Sequence, residues 1–538
     1  MKKFWKDGDA WIWLTGGALA SCLILVAGLV FLIIVSGLGF FWPQEVIRLK
    51  LNDGTGVLGS VVAREVVPPT KASTGQPEHR IQMKQGNRDL YSSDFVWVDE
   101  SKIAKTEIPP EAVLVERREW GNLYGWIKEV RADGKLVAAG PDQGMEAVKA
   151  RLPHARAQAE KIEAMEKGEI GDVNRAQEKI RLHLKGLEMQ GTTSGPEVDK
   201  LNAEVEKLKT EYEALAVKLG ELRKVKSGTV LFGIEGGKEK ELAVESIVRI
   251  IDPNRMGVFS KLGTYCGRIW EFLMEDPRES NTEGGIFPAI FGTVMMVLLM
   301  SAFVTPLGIM AALYLREYAK QGTMVSLVRI AVNNLAGVPS IVFGVFGLGF
   351  FIYRIGGSID RMFFAESLPT PTFGTGGILW ASLTLALMTV PVVIVSTEEG
   401  LAAIPRNMRE GSLALGATKW ETTWRVVLPA LAPSILTGLI LAMARAAGEV
   451  APLMITGVVK LAPSLPLDGQ FPFVHMDRKF MHLGFHIYDV GFQSPNVDAA
   501  RPMVFTTTLL LLIIVVLLNL AAIILRRRLR KKFQMSAV

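Results

Sequence analysis

Uncharged stretches alternate with strongly charged ones along this chain. Six apolar runs hold at most two Asp, Glu, Lys or Arg residues each: 10–44, 284–315, 330–353, 367–397, 426–459 and 502–525. Each run is long enough for a helix of about 20 residues to cross a hydrocarbon layer of roughly 30 Å. Backbone amides in lipid need partners within one helix or a closed barrel, and these runs lack the alternation of barrel strands. The pattern therefore predicts an all-α polytopic membrane protein with six transmembrane helices.

A long polar segment, 45–283, separates the first two runs and is expected to form an α+β domain. Strand-like residues at 46–51 and 57–62 flank a turn, and residues 228–251 would complete a β-rich base. Between about 143 and 225 the pattern becomes a heptad, with apolar positions at Leu201, Val205, Leu208, Tyr212, Leu215, Leu219 and Leu222. This predicts a coiled-coil hairpin that is separable from the base. Its seam either only packs the hairpin or also docks another subunit.

The basic residues predict the topology. A cluster directly follows the last run: Arg526, Arg527, Arg528, Arg530, Lys531 and Lys532. Because Lys and Arg gather on the cytoplasmic side of membrane helices, both termini are predicted to be cytoplasmic and residues 45–283, 354–366 and 460–501 to lie outside. The first run exceeds the apolar core of a signal peptide and is interpreted as an uncleaved anchor. The predicted parts are 1–44 (amino terminus and first helix), 45–283 (extracytoplasmic domain) and 284–538 (five further helices with a cytoplasmic loop at 398–429).

The composition of the chain mainly excludes classes of function. The formal net charge is +6, but the basic clusters lie beside the apolar runs, so a nucleic-acid partner is not expected. The two cysteines, Cys22 and Cys266, form no metal-binding pattern. Lys238 is followed by Glu239 where a nucleotide-binding loop needs Ser or Thr, and no hydrolase motif is present in the sequence. We therefore predict no catalytic residues, no metal and no cofactor.

The segment between the fourth and fifth runs, 398–429, has the features of two short helices joined by a turn. Gly416 suits the end of the first helix because glycine takes positive φ without strain. A proline, Pro429, is expected to stop the second helix before the fifth membrane helix. Four apolar residues are expected to pack the two short helices together: Leu413, Leu415, Trp420 and Trp424.

This segment resembles the EAA loop of ABC importer permeases, which follows the pattern E-A-A-x3-G-x9-I-x-L-P. The matching positions are Glu410, Gly411, Ser412, Gly416, Leu428 and Pro429, with Gly411 and Ser412 in place of two alanines. In that family the loop forms a coupling helix that sits in a groove of the ATPase subunit. The resemblance therefore implies a non-catalytic transport subunit whose ATP is hydrolysed by a partner chain.

Three further runs are similar to PstA-type permeases of phosphate importers: 285–293, 334–344 and 442–453. The resemblance covers 285–525 and implies a type I ABC importer permease in a bacterial inner membrane, surrounded by lipid. The implied partners are a second permease subunit (PstC-type), a cytoplasmic ATPase (PstB-type) and an extracytoplasmic phosphate-binding protein (PstS-type). Most of segment 45–283 lies outside the short form of the family, although longer members carry an insertion there.

Arg445 and Glu449 are the only ionisable pair deep within an apolar run. At positions i and i+4 they are expected to share a helix face and to neutralise each other. The forked guanidinium suits an oxyanion such as phosphate, so the pair either lines the translocation path or is a structural ion pair. Sulfate, molybdate or phosphonate remain alternative substrates. A membrane sensory protein, with segment 45–283 as receptor, is the alternative from another functional class.

Overall fold

A computed structural model describes residues 8–67, 78–132, 134–278, 281, 283–494 and 497–534. The helices are α1 (Asp9–Gly39), α2 (Arg88–Tyr91), α3 (Pro141–Ala164), α4 (Gly171–Met189), α5 (Pro196–Lys224), α6 (Val258–Met274), α7 (Phe287–Leu313), α8 (Thr323–Leu335), α9 (Ser340–Phe346), α10 (Gly357–Phe363), α11 (Ile378–Ala403), α12 (Arg406–Ala414), α13 (Lys419–Thr422), α14 (Leu428–Gly448), α15 (Ala451–Thr456), α16 (Leu483–Tyr488) and α17 (Val497–Gln534). Widened π-helical turns occupy Met165–Ile170, Tyr314–Tyr318, Gly347–Gly356, Thr423–Val427 and Asp489–Gln493.

The strands are β1 (Ile47–Leu51), β2 (Gly56–Val66), β3 (His79–Lys84), β4 (Phe95–Asp99), β5 (Ile103–Glu107), β6 (Val113–Arg117), β7 (Leu123–Ala132), β8 (Lys135–Ala139), β9 (Thr229–Gly233), β10 (Glu239–Ala243), β11 (Ile247–Ile251), β12 (Pro277–Arg278) and β13 (Glu283–Gly284). The chain divides into a membrane unit, Met1–Phe40 with Ile286–Phe364 and Pro369–Val538, and an inserted unit, Phe41–Gly285 with Ala365–Leu368.

Six helices among the described residues are long and apolar enough to cross a membrane, which confirms the predicted number. They are Trp11–Gly39, Phe287–Tyr318, Ser340–Phe363, Ile378–Ala403, Lys419–Gly448 and Ala500–Arg528. In the membrane unit α11 packs between α7 and α14, and α17 joins α1 to this bundle. Their shared core includes Met296, Met300, Leu385, Ala442 and Phe480.

The third candidate span begins later than predicted, because Pro339 interrupts the run 330–353. Proline has no N–H and disfavours helical conformation in the preceding residue, so α8 ends at Leu335 and a new helix starts at Ser340. This helix extends to Phe363, so segment 354–366, predicted as an outer loop, is mainly helical. Its buried Asp360 accepts backbone N–H groups of Phe373 and Gly374 at 2.8 and 2.6 Å.

The inserted unit is built on antiparallel sheets. One has five strands in the order β4-β3-β2-β1-β5, and a second follows β10-β9-β7-β6-β11 with β8 paired to β7. The predicted strands at 46–51 and 57–62 form the β1–β2 hairpin, in which Leu49 pairs with Val57. Phe232, Val230 and Ile127 are buried in the core beside the second sheet.

The predicted helical hairpin runs from α3 through α4, turns, and returns along α5. All residues of α5 are described and none of them is fully buried, and Tyr212 on the predicted seam is 40% exposed. The coiled-coil packing of the hairpin therefore stays a prediction. The first half of α3 is different, because Met145, Val148 and Ala155 belong to the core of the β-sheet domain. The separable arm thus begins after Ala155 and not at residue 143.

A deletion of residues 160–222, closed by a short glycine-serine linker, is expected to leave the inserted unit folded. Gln158 Nε2 donates to the carbonyl oxygens of Leu222 and Val225 at 2.7 and 2.6 Å, so a short linker spans the gap. A deletion of 143–225 should unfold the unit, because each lost core side chain costs about 2–5 kcal/mol. Limited proteolysis of the two purified variants in detergent measures the difference. Equal resistance of both variants would contradict this boundary.

Candidate functional site

The first half of loop 398–429 is a short helix that ends in a glycine turn. α12 follows Pro405 and ends at Ala414. Gly416 then adopts φ 88°, and its N–H donates to the carbonyl of Leu413 at 3.0 Å. This is the left-handed conformation that satisfies the last carbonyls of a helix and that side chains with a Cβ rarely adopt. The turn at Gly416 thus separates α12 from the second short helix, α13.

The second helix is fixed at its start by a capping box. Thr418 Oγ1 accepts the backbone N–H of Glu421 at 3.2 Å, and the Glu421 carboxylate accepts the backbone N–H of Thr418 at 2.9 Å. Both otherwise unpaired donors of the helix start are satisfied in this way. Ser412 and Thr422 join the two helices through their hydroxyl groups, 2.9 Å apart.

The loop is tied to the end of the second membrane span. Arg409 lies 3.1 Å from the carboxylate of Glu317 and donates to the carbonyl of Leu401 at 2.7 Å. Lys419 donates to the carbonyl of Glu317, and its Nζ lies 4.9 Å from the ring centre of Tyr318. These contacts hold the loop to the end of the helix that begins at Phe287.

The expectation that four apolar residues pack the two short helices together is wrong. Their exposed fractions are 48% for Leu413, 91% for Leu415, 63% for Trp420 and 59% for Trp424. The two indoles stack on each other with ring centres 5.8 Å apart. The helices are held by Gly416 and the Ser412–Thr422 hydrogen bond instead, and these four side chains form an outward surface, which we call the loop face. Exposed apolar patches of this kind mark contacts with another molecule.

The remaining predicted loop residues differ in exposure and in their effect on the helices. Glu410 and Gly411 are exposed, and a Cβ at Gly411 would meet open space. Pro429 does not stop the helix as expected, because α13, the π turn and α14 form one continuous candidate span. The π turn Thr423–Val427 already displaces the regular hydrogen-bond ladder, so the missing N–H of Pro429 is accommodated.

Arg445 and Glu449 form an ion pair of 3.6 Å, but they do not share a continuous helix. α14 ends at Gly448, and Glu449 has extended backbone angles before the short helix α15 begins at Ala451. The side chains are 33% and 23% exposed. Arg445 occupies the last turn of α14, where a positive charge is favourable beside the unpaired carbonyl groups. The pair therefore marks a break in the fifth span.

One buried group near this break was missed by the sequence analysis. His482 is fully buried, its Nδ1 accepts the N–H of Gly484 at 3.1 Å, and burial lowers its pKa to about 3, so the ring is neutral. Among the described residues its Nε2 has no hydrogen-bond partner. A Cβ on Gly484 would lie 2.8 Å from Val450 Cγ2, so this segment approaches the residue after Glu449. A histidine within an apolar stretch was the available signal.

Comparisons with known proteins concern the same part of the chain. A family model described as binding-protein-dependent transport system inner membrane component matches residues 304–534, which include the loop and the ion pair. The chain is 32% identical over 203 residues to the probable ABC transporter permease protein YqgH of Bacillus subtilis, covering 37% of this chain and 62% of that protein. It is 30% identical over 221 residues to the probable permease YqgI of the same organism, covering 40% and 69%.

A third relative is the phosphate transport system permease protein PstA 1 of Mycobacterium tuberculosis. It is 34% identical over 199 residues, which is 37% of this chain and 59% of that protein. The chain therefore spans less than two thirds of the length of YqgH and of PstA 1. The inserted unit, from Phe41 to Gly285, lies outside the range matched by the family model.

Gly416→Val is expected to loosen the loop, with Gly411→Ala as the matched control. A branched side chain at φ 88° costs about 1–2 kcal/mol although the space around Gly416 is open. Such a cost raises the opened population by roughly tenfold, measurable as faster proteolytic cleavage within 406–418. Gly411 is helical, so alanine there should slow cleavage or leave it unchanged. Unchanged cleavage in Gly416→Val would contradict the assignment of the turn.

Proposed function

The chain belongs to the family of inner-membrane components of binding-protein-dependent transport systems, and on this basis we propose that it is the permease subunit of an ATP-binding cassette importer for inorganic phosphate. The family resemblance predicted from the sequence is confirmed by these matches. The relatives are permease proteins, so ATP hydrolysis belongs to a partner chain. The observation that supports coupling to that partner is the outward loop face on a loop tied to the second span.

Two observations support phosphate as the substrate. The relative from Mycobacterium tuberculosis is named for phosphate transport, and Arg445 stands at a break in the fifth span where its guanidinium is one third exposed. A planar, permanently charged donor is suited to an oxyanion, and the neighbouring Glu449 limits how tightly that anion is held. Sulfate, molybdate and phosphonate share this chemistry and are therefore the competitors in any uptake assay.

The proposed assembly pairs this chain with three others. A PstC-type permease would complete the translocation path, and a PstB-type ATPase would receive the loop face in a groove. A PstS-type protein would deliver phosphate from the outer side. In this arrangement both termini and residues 398–429 are cytoplasmic, whereas segment 45–283 is extracytoplasmic and 284–538 forms the permease core. The purified chain alone should not hydrolyse ATP.

The loop face is expected to be essential for coupling. The double variant Leu415→Ser/Trp420→Ser removes two exposed apolar side chains without touching the anchors Arg409 and Lys419. We expect the co-purified ATPase subunit and the ATP-driven phosphate uptake of proteoliposomes each to fall by about tenfold, equivalent to about 1.4 kcal/mol. The control is Val217→Ser, which removes an apolar residue of the inserted arm that is as exposed as Trp420 (64% against 63%) and should change neither. Retained binding and uptake in the double variant would contradict the coupling assignment.

Arg445 is expected to contact the anion and Glu449 to act on Arg445. Arg445→Lys retains the charge but loses the fork, so phosphate uptake should fall by about tenfold or more. Arg445→Ala/Glu449→Ala removes both charges and should assemble and bind ATP yet transport neither phosphate nor sulfate.

The control for these variants is another partly buried ion pair of the membrane unit, Arg478 with Asp468 at 2.6 Å, which lies outside loop 398–429 and outside the candidate spans. Its neutral form, Arg478→Gln/Asp468→Asn, should retain most of the uptake. Near-normal phosphate uptake by the assembled Arg445→Ala/Glu449→Ala protein would show that Arg445 and Glu449 also form only a structural ion pair.

A further inference from the structure

Helix α6 turns its charged residues towards its own domain and its apolar residues outwards, which is the opposite of most helices on the surface of a water-soluble domain. Its three charged residues, Lys261, Arg268 and Glu271, face the inserted unit, with side chains only 14%, 13% and 9% exposed. Its opposite side is apolar and exposed. We define the lipid face of α6 by these residues and their exposed fractions: Val258 (72%), Phe259 (91%), Leu262 (48%), Trp270 (64%) and Met274 (49%).

Ion pairs fix this orientation. Arg268 contacts Glu116, and Glu271 contacts Arg249 and lies 2.8 Å from Arg278. Burial acts to raise the pKa of the Glu271 carboxyl, but the two arginines together lower it below its usual value. Rotating α6 to hide its apolar side would leave these charges unpaired at the surface of the β-sheet domain, so the exposed apolar side is imposed by the packing.

The two ends of the inserted unit both lie against α6. Phe41, the first residue of the inserted unit, has its ring centre 5.3 Å from Phe272 and 6.3 Å from Tyr265. At the other end, Gly285 N–H donates to the carbonyl of Asp276 at 3.0 Å, just beyond the end of α6. The chain enters α7, the second span, directly after Gly285. Both ends of the inserted unit are thus held beside one helix.

We propose that α6 lies in the interface of the lipid bilayer, with its lipid face in the boundary between headgroups and acyl chains, and that it anchors the inserted unit to the membrane surface. With its charges turned inward, the helix presents only its apolar side to the surroundings. Its 17 residues are too few to span a hydrocarbon layer of roughly 30 Å. Trp42, Tyr265 and Trp270, at or near this surface, are of the residue types enriched at membrane interfaces.

Lipid, and not a protein, is the occupant that these observations favour. Phe41 and Gly285, the two ends of the inserted unit that lie beside α6, are each two residues from a membrane span, so α6 is expected close to the bilayer whichever side carries the inserted unit. Since Lys261 and Arg268 are held inward by carboxylates, anionic headgroups should add nothing to the interaction. The proposal goes beyond transport function and does not depend on the identity of the substrate.

The test uses the cysteine that α6 already carries. Cys266 is exposed, and Cys22→Ser leaves it as the only thiol of the full-length chain. An environment-sensitive fluorophore on Cys266, in nanodiscs of phosphatidylcholine, should be quenched by lipids with a shallow spin label and shielded from aqueous iodide. Such quenching corresponds to burial of about 5–10 Å in the interface. Replacing a third of the lipid by phosphatidylglycerol should change nothing.

A matched control places the same probe at Val217, with both native cysteines replaced by serine. This exposed position on α5 should show the opposite response, with quenching by iodide only. Phe259→Glu should weaken lipid quenching at Cys266 by about twofold or more, because a charge is unfavourable at that depth. Quenching of Cys266 by iodide alone would overturn the proposal. Protection from both quenchers together with cross-linking to another polypeptide would overturn it too, because a protein would then cover the face.

Discussion

Hydrocarbon offers no hydrogen bonds to a charge, and this constraint governs the membrane unit. Several charged groups within or beside the candidate spans are paired accordingly. Arg329 lies 3.1 Å from Glu398, and Lys460 lies 3.1 Å from Asp489. Asp360 is compensated by two backbone N–H groups instead of a cation. The contact of Arg445 with Glu449 is longer, at 3.6 Å, and both side chains are partly exposed.

The same constraint explains why the number of membrane helices was predictable while their limits were not. Charge is nearly excluded over the length of a span, so six apolar runs stand out in the sequence. Helix limits depend on single backbone events inside those runs. Pro339 moves the start of the third span, and the break after Gly448 removes Glu449 from the fifth. A count of apolar residues carries no information about either event.

Side-chain direction was the second part that the sequence could not supply. The turn at Gly416 follows from local backbone chemistry, and the structure places φ at 88° there. Apolar spacing showed that Leu415 and Trp420 need burial but not which molecule buries them. In the inserted unit the predicted hairpin ran from about 143 to 225 and did not separate the part of α3 up to Ala155, which packs on the β-sheet domain, from the rest of the arm. The spacing of apolar residues predicts a helix but does not indicate which element packs against it.

Two surfaces of exposed apolar side chains differ in the charges around them. On the loop face, Trp420 and Trp424 are interleaved with exposed charges, Lys419, Glu421 and Arg425. An apolar centre with a charged rim is the composition of a surface that meets a water-soluble protein. On α6 the helix's own charges are withdrawn into ion pairs, and the apolar side chains stand alone. A surface without charged residues around it offers few hydrogen bonds or ion pairs to the polar edge of a soluble protein, whereas it matches lipid. The two surfaces are similarly exposed, so the position of the charges is what distinguishes their partners.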